Sequence, residues 1–574
     1  MKIILSIFLI LISLEQILSQ PKQEIRAVWL TTNLQLDWPP KSFDPEIQKK
    51  ALIDLLDDLA RKKFNTIYFQ VRSQGSVLYK SQYEPWSQFL TGTLGGEPFY
   101  DPLKFFIEEA HRRFFEVHAW VNMIRCKIGE QYPPASNPLH LLHRNPEWIR
   151  KYFEGNNVSY WLDPGLPEVR EYLKNICTEL ALNYNIDGIH FDFIRYPGIN
   201  FDDSYSYSVF GNGMKLADWR RENINTLVTT IYDTLISMRP MLKVGSAPVG
   251  IYENLPGARG LEGRNSVYQD SREWLKRNKQ DYLVPQIYWD LENNPRFDML
   301  INNWVLSNYG KQIVAGVAAY DPKVFLQLEK LISISRVYNS NGQSFFRYEN
   351  ISGRKFTGYS TLSNIPPMSW KDNIPPNAPY SLMGKNLQDK LGLIELVWGI
   401  PQSAADLDTA KYYNVYRSVN SIIDRNNSDY LLSFSSNYYF YDYLSRPSQL
   451  EYYYQISSLD KGNNESIDAT EIVKVELTNL KNILRHFIPI NNSALLPVKI
   501  GDKVFYAFDL EISDKVKVIL YDNMNRFVSV LYDGLTKQGR NVLQFDSQKI
   551  TSAKSKLVIS SSQFTEEITF SLKK

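Results

Sequence analysis

A chain of 574 residues is too long for one ordinary domain, and two to four are expected. Its 44% hydrophobic and 22% charged residues, with a net charge of +2, describe a globular chain. That near-balance argues against nucleic acid or an anionic membrane surface as the main partner. Aromatics are in excess, at 14%, with 37 Tyr and 12 Trp. Flat apolar faces with polar tips suit stacking on sugar rings, and equally suit tyrosine-rich β domains packing their own sheets.

The chain opens "MKIILSIFLILISLEQILSQ": Lys2, an apolar run from Ile3 to Ile12, then small and polar residues around Ser19. This is the layout of a signal peptide over residues 1–19, and the run is short for a membrane span. An exported, soluble mature protein follows, in the periplasm, on the outer cell surface or secreted, with no integral membrane association.

From Glu24 to about residue 350, apolar β-rich runs alternate with helical patterns. The expected strands are 25–31, 65–71, 115–122, 187–193, 242–248, 282–289, 312–318 and 343–349. Between them, "EIQKKALIDLLDDLARKK", "DPLKFFIEEAHRR", "PEVREYLKNICTELALNY" and "DWRRENINTLVTTIYDTLISM" carry apolar residues at helical spacing, several behind Asp, Ser or Pro. Eight β-then-α alternations point to an α/β fold, a (β/α)8 TIM barrel over residues 24–365. A doubly wound open sheet is the alternative, but the Gly-rich phosphate turn that usually follows its first strand is absent.

Near "NIPPMSWKDNIPPNAPYSL", prolines cluster and helical periodicity stops, so a linker is expected there. Two small all-β sandwich domains should follow. Residues 374–478, with Trp398 in an early strand and a Tyr-rich late strand before a Gly-Asn turn, resemble a fibronectin type III domain. Residues 485–574 resemble the Ig-like C-terminal domains of exported bacterial proteins, including sorting domains that engage secretion machinery. Here "SAKSKLVI" stands where such domains carry Ser-Gly-Val-Tyr. The only cysteines, Cys126 and Cys177, are expected as buried thiols. Six histidines with no close Cys/His cluster suggest neither a metal site nor a cofactor.

Functional side chains of such barrels come from the C-terminal ends of strands. Arg26 could point inward on the first strand, with Trp29 on the pocket floor. Gln70 and Arg72 share a face of the second strand; His118, Trp120 and Asn122 share one of the third. On the sixth, Gln286 and Tyr288 share a face, with Trp289 and Asp290 at its tip. For each residue alone, a satisfied buried polar group is the plainer reading. The fourth run, "NIDGIHFDFIRYPG", is the most unusual. Counting by two, His190 and Asp192 face the barrel while Ile189, Phe191 and Phe193 face the helices, and Arg195 follows in the loop. Asp187, before the strand, reads as structural. A salt bridge between Asp192 and Arg195 without catalysis is the competing reading.

The segments "RAVWLTT", "LDWPP", "FNTIYFQVRSQGSVLYKSQYEPWSQFLTG", "VHAWVN", "LDPGLPEVREYL", "DGIHFDFIRYP" and "VPQIYW" resemble bacterial glycosyl hydrolase-like family ten, exported barrels similar to retaining glycosidases. Two departures stand out. Phe193 occupies a position where that family commonly has a second Asp, and Arg113-Phe114 replaces Arg-Gly. The resemblance implies glycoside hydrolysis, with cell-wall glycan strands as substrate and polysaccharide as partner. Such chemistry usually takes two carboxyl groups. Asp192 is then the nucleophile or stabilising carboxylate, kept ionised by Arg195 and His190. Asp290, its pKa raised beside Trp289, is preferred as the acid, followed by Glu253, then Glu109 and Glu84. Trp29, Trp120, Tyr288 and Trp289 would serve as sugar platforms. Gln70, Arg72, Asn122 and Gln286 would bind hydroxyl or N-acetyl groups. Two other readings remain open: a carbohydrate-binding protein on a barrel that has lost its acid, and an esterase or deacetylase. Against the last, no Gly-x-Ser-x-Gly turn is present.

Overall fold

A computed structural model describes residues 20–574 apart from 389–392, 445–448, 478–496, 501, 511–513, 537–538, 551–553, 562–564 and 572–574. The expected signal peptide at 1–19, and the start of the last expected domain at 485–496, lie outside the described residues. The chain divides into two compact units: one reaches Ile374 and includes Asn426–Asp429 and Lys461–Asn464, and the other holds the rest.

The first unit is a closed barrel of eight parallel strands: β1 (Ile25–Leu30), β2 (Thr66–Ser73), β3 (Glu116–Asn122), β4 (Gly188–Asp192), β5 (Lys243–Ser246), β6 (Tyr282–Leu283), β7 (Gln312–Ala318) and β8 (Gly342–Phe346). β8 pairs back onto β1, with Ile25 opposite Gly342 and Trp29 opposite Phe346. After each strand comes a helix: α1 (Pro45–Arg61), α2 (Pro102–His111), α3 (Pro167–Asn183), α4 (Leu216–Met238), α5 (Ser271–Lys276), α6 (Phe297–Val305), α7 (Leu328–Val337) and α8 (Tyr348–Ile351). This is the TIM barrel that the alternation implied.

Local chemistry sets these elements. Asp44 accepts hydrogen bonds from the Glu46 and Ile47 amides at the start of α1, and Asp101 from the Lys104 amide at the start of α2. Each cap is followed by Pro at a first-turn position, where no amide hydrogen is needed. α1 then buries Leu52, Leu55, Leu56 and Leu59 against the outer face of the barrel, where Val28, Leu30, Ile67 and Phe69 meet them. Each such side chain stabilises the fold by roughly 1.5–3 kcal/mol. β5 and β6 are shorter than expected. Pro248 and Pro285 have no amide hydrogen to give the ladder, so regular pairing stops before them. Between β3 and α3 a three-stranded antiparallel sheet is inserted, formed by 125–128, 149–154 and 157–162, which periodicity had not suggested.

The barrel interior is unusually aromatic. Trp29, Tyr68, Trp120 and Tyr282 point inward with Ile25, Ala27, Val284 and Val314. Small residues make the room: a Cβ on Gly188 would come within 2.5 Å of His118, and one on Gly245 within 2.4 Å of the Tyr282 ring. Arg26 points outward instead. Trp29 and Arg26 are three apart on a strand, so they cannot share a face; Arg26 donates to Glu24 at 2.9 Å and lies over Tyr359. The expected linker is in part the barrel's floor. Ile365 and Met368 belong to the interior cluster, and Trp370 donates to Asp281 at 2.9 Å.

The second unit holds two pairs of antiparallel sheets. In one pair, strands 380–388, 393–399 and 439–443 face strands 431–435, 412–418, 451–459 and 473–476, with Trp398, Val415, Tyr454 and Ile456 between them. In the other, 498–500, 503–510 and 539–546 face 527–536, 514–521, 555–560 and 565–570 around Tyr506, Val518, Leu520 and Ile559. Cys126 and Cys177 are buried free thiols. Among the described residues, no helix is long and apolar enough to cross a membrane.

Candidate active site

Asp192 ends β4 at the C-terminal mouth of the barrel and is 7% exposed. Its Oδ1 accepts the Phe193 amide at 2.8 Å and the Gln286 side-chain amide at 3.4 Å. Burial raises its carboxyl above the usual range, opposed by the Phe193 amide, by Arg125 and Arg195, and by the Trp120 indole N–H. The proton-bound form is therefore favoured relative to an exposed Asp. Tyr288 lies within its field: burial pushes the phenol well above its ordinary value, and Asp192 adds to the rise.

Phe193 follows in a left-handed conformation, φ 50°, which a bulky residue adopts rarely. The Arg125 guanidinium stacks 3.4 Å from its ring centroid, and the Arg195 guanidinium lies 5.2 Å from the same centroid. Trp161, from the inserted sheet, meets the Phe193 ring edge to face at 5.8 Å. Arg125 sits at the start of that sheet, three residues beyond the end of β3.

Beneath Asp192 runs a line of hydrogen bonds. Trp29 Nε1 donates to His190 Nε2 at 3.1 Å. An indole nitrogen can only donate, so the proton of neutral His190 sits on Nδ1, 3.3 Å from the Tyr282 hydroxyl. That leaves the Tyr282 O–H to donate to His118 Nδ1 at 2.6 Å, and His118 Nε2 to face Glu116 at 3.4 Å. Glu116 closes the line on Lys243 at 2.6 Å. Burial pushes the His190 pKa well below its ordinary value, with His118 adding to the fall. Tyr68 stacks on His190 with centroids 4.1 Å apart. His190 is thus a neutral ring inside the barrel, and it supplies no cation to hold Asp192 ionised.

A model of the glycosyl hydrolase-like 10 family matches residues 24–327. Glycosyl hydrolase YngK of Bacillus subtilis is 30% identical over 489 residues, which cover 78% of this chain and 93% of that relative. The chain belongs to the glycosyl hydrolase-like 10 family. Glycosyl hydrolase DigH of Escherichia coli is 34% identical over 334 residues, covering 52% of this chain and 74% of DigH. Among solved structures, the catalytic domain of a β-amylase from Paenibacillus polymyxa aligns at 12% identity and a TM-score of 0.39, over 58% of this chain and 94% of its own. The barrel assignment rests on the strand pairing itself.

Within this glycosyl hydrolase-like 10 barrel, the expected site residues separate into three groups. Asp192, Gln286, Tyr288, Trp289 and Arg195 gather at the mouth, and all but Asp192 are part-exposed. Trp29, His118 and His190 lie in the interior line. Gln70 accepts the Thr32 and Asn33 amides and approaches Asn122 at 3.5 Å, while Trp120 joins the interior aromatic cluster. Arg72 is committed elsewhere: it grips Glu84 at 2.6 and 2.8 Å with both side chains fully buried.

The expected acids fare differently. Asp290 accepts the Glu292 and Asn293 amides and the Asn293 side chain, at 2.7–2.8 Å. Burial works to raise its carboxyl, but these bonds win and hold it below the usual range, opposite to the expectation from Trp289. Asp290 therefore organises a turn. Glu84 is locked on Arg72, and Glu109 on Arg112 and Arg113. Glu253, in the loop after β5, is half-exposed and pairs with Arg264 at 2.7 Å. Arg125 escaped attention because nothing in "VNMIRCK" shows that it folds back onto Phe193; an arginine just past a barrel strand is the one available signal. Among the described residues, no cluster of His, Cys, Asp and Glu could hold a metal ion.

Proposed function

We propose that this protein is an exported glycoside hydrolase that cleaves glycosidic bonds in a bacterial cell-wall or related polysaccharide, with peptidoglycan glycan strands as the first substrate to test. One observation carries the reading: a buried carboxyl, Asp192, sits at the barrel mouth with its proton-bound form favoured, beside an amide and a tyrosine able to bind a sugar. The family, and relatives that bear the name glycosyl hydrolase, support it. Asp192 acts as the proton donor to the leaving oxygen, a change from the nucleophile or stabilising carboxylate that the sequence suggested. Glu253 is the second carboxyl, on the loop after the neighbouring strand and held only by a part-exposed ion pair that a substrate can replace. Trp289 and Tyr288 offer the sugar platforms. The signal-peptide layout at the start supports export, and the two pairs of antiparallel sheets support reading the trailing domains as fibronectin type III-like and Ig-like sandwiches.

The test is release of soluble fragments and new reducing ends from peptide-free glycan strands. Asp192→Asn should lose at least a hundredfold in turnover on the polymer and much less on an aryl glycoside, whose leaving group needs no proton. Equal loss on both would return Asp192 to the nucleophile role, and no loss would remove it from the reaction. Glu253→Gln should lose activity on both substrates.

A second reading, a non-catalytic carbohydrate-binding protein, is favoured by one fact: the groups that shift Asp192 most include no second carboxyl. Retained glycan binding with no release by the wild type would select it.

A further inference from the structure

Several arginines of the first unit rest on carboxylates, and other part-buried ones spend their N–H groups on carbonyls and amides, as Arg170, Arg239 and Arg272 do. Arg72 holds Glu84, Arg220 holds Asp203 at 2.7 and 2.8 Å, Arg336 holds Glu24 at 2.7 Å, and Arg347 holds Asp37 at 2.6 Å. Arg125 and Arg195 differ. Neither makes an ion pair among the described residues. Arg195 gives one hydrogen bond, to the Tyr196 carbonyl at 3.2 Å, and Arg125 is held by its stack on Phe193. Both are only part-exposed. The carboxyls within their field are Asp192 and Glu154. Asp192 spends one oxygen on the Phe193 amide and Gln286, and Glu154 is exposed on the inserted sheet. Two guanidinium groups against one ring at a barrel mouth, neither with a carboxylate partner, are costly unless something anionic arrives.

We propose that Arg125 and Arg195 form an anion subsite beside Asp192 that binds a carboxylate carried by the sugar substrate. The charges fit: the two cations outnumber the one exposed carboxylate near them, Glu154, and burial works against a charge on Asp192. A planar guanidinium placed over Phe193, with no hydrogen-bond partner among the described residues, has N–H groups to offer for the parallel hydrogen bonds that a carboxylate accepts. Burial lowers both arginines' pKa, Arg125 to about 10. This proposal rests on the hydrolase reading for its ligand class, a sugar, but not for its test.

The carboxylate can stand on the ring itself, as in a uronic acid, or on an ether-linked arm, as on peptide-free peptidoglycan strands. The experiment uses full-length Asp192→Asn protein, so that binding is read without turnover. Affinities are measured by calorimetry for oligouronides and for peptide-free strands, each as the free acid and as the neutral methylamide; a sulfated glycan and its desulfated form make a third arm. At least one free acid should bind tenfold or more tighter than its amide, and which one does so identifies the source. Adding Arg125→Gln or Arg195→Gln should bring the acid down to the affinity of its amide while leaving the amide unchanged. If a Gln variant does not fold, the Lys variant takes its place, which keeps the charge, loses the fork and should retain only part of the preference. Equal affinity for acids and amides, no binding of either, a preference confined to the sulfated arm, or a preference that survives both Gln substitutions overturns the proposal. A wild type that releases no reducing ends but prefers an acid would end the hydrolase reading and leave this one standing.

Discussion

Two groups of arginines surround the mouth of this barrel, and they differ in what they hold. Arg72 and Arg220 grip Glu84 and Asp203 in bidentate pairs, further anchored by Tyr172 on Glu84 and Tyr268 on Arg220. Arg125 and Arg195 lean on an aromatic ring and have no carboxylate of their own. The first arrangement is complete without a ligand, so it belongs to the fold. In the second, the protein has paid for desolvating charge without matching it, which marks a place where another molecule completes the set.

The largest expected effect breaks the complete side. Glu84→Gln strands Arg72 in a site with no exposure and should cost about 3–5 kcal/mol in urea unfolding; a cost below about 1 kcal/mol would erase the distinction drawn here. Next is Asp192→Asn, which should raise the melting temperature at pH 7 even as activity falls. A carboxyl raised in the fold keeps a proton that the unfolded chain has lost, so stability falls as pH rises from about the ordinary 3.8 through the folded value. The variant's gain should therefore shrink as pH is lowered through that window, and a gain independent of pH would contradict the cause given. Asp290→Asn should cost less than about 1 kcal/mol, since an amide oxygen still accepts from the turn. Its carboxyl is lowered in the fold, so the wild type's advantage exists above the ordinary carboxylate range and fades as pH falls through the folded value. Smallest of all, Arg125→Met and Arg195→Met should change unfolding free energy by less than about 1 kcal/mol, toward stability, since desolvation is relieved and no ion pair is lost.

Much of this was legible from residue order. The alternation of strands and helices gave the barrel, and counting by two along β4 placed His190 and Asp192 on the inner face and Asp187 outside the site. Asp187 indeed accepts the Val117 amide and His111. What escaped depends on contacts between distant segments. Asp290 looked like an acid beside a tryptophan, but three hydrogen bonds from its own turn decide its charge. His190 looked like a cation beside Asp192, but burial, and the Trp29 indole that donates to its Nε2, fix it as a neutral ring. Trp370 sat in proline-rich sequence with no periodicity, yet it reaches Asp281 at the closed end.

The line from Trp29 through His190, Tyr282 and His118 to Glu116 has one permitted direction, because its first member can only donate. Every hydrogen in it points from the mouth toward the floor. The barrel axis therefore carries a row of aligned bond dipoles with their negative ends turned up toward Asp192, the same sense in which burial acts. The barrel's wiring thus acts in the same direction as its shape, against a charge on the carboxyl at its mouth, and replacing Trp29 with a side chain that can accept would release that bias at its source.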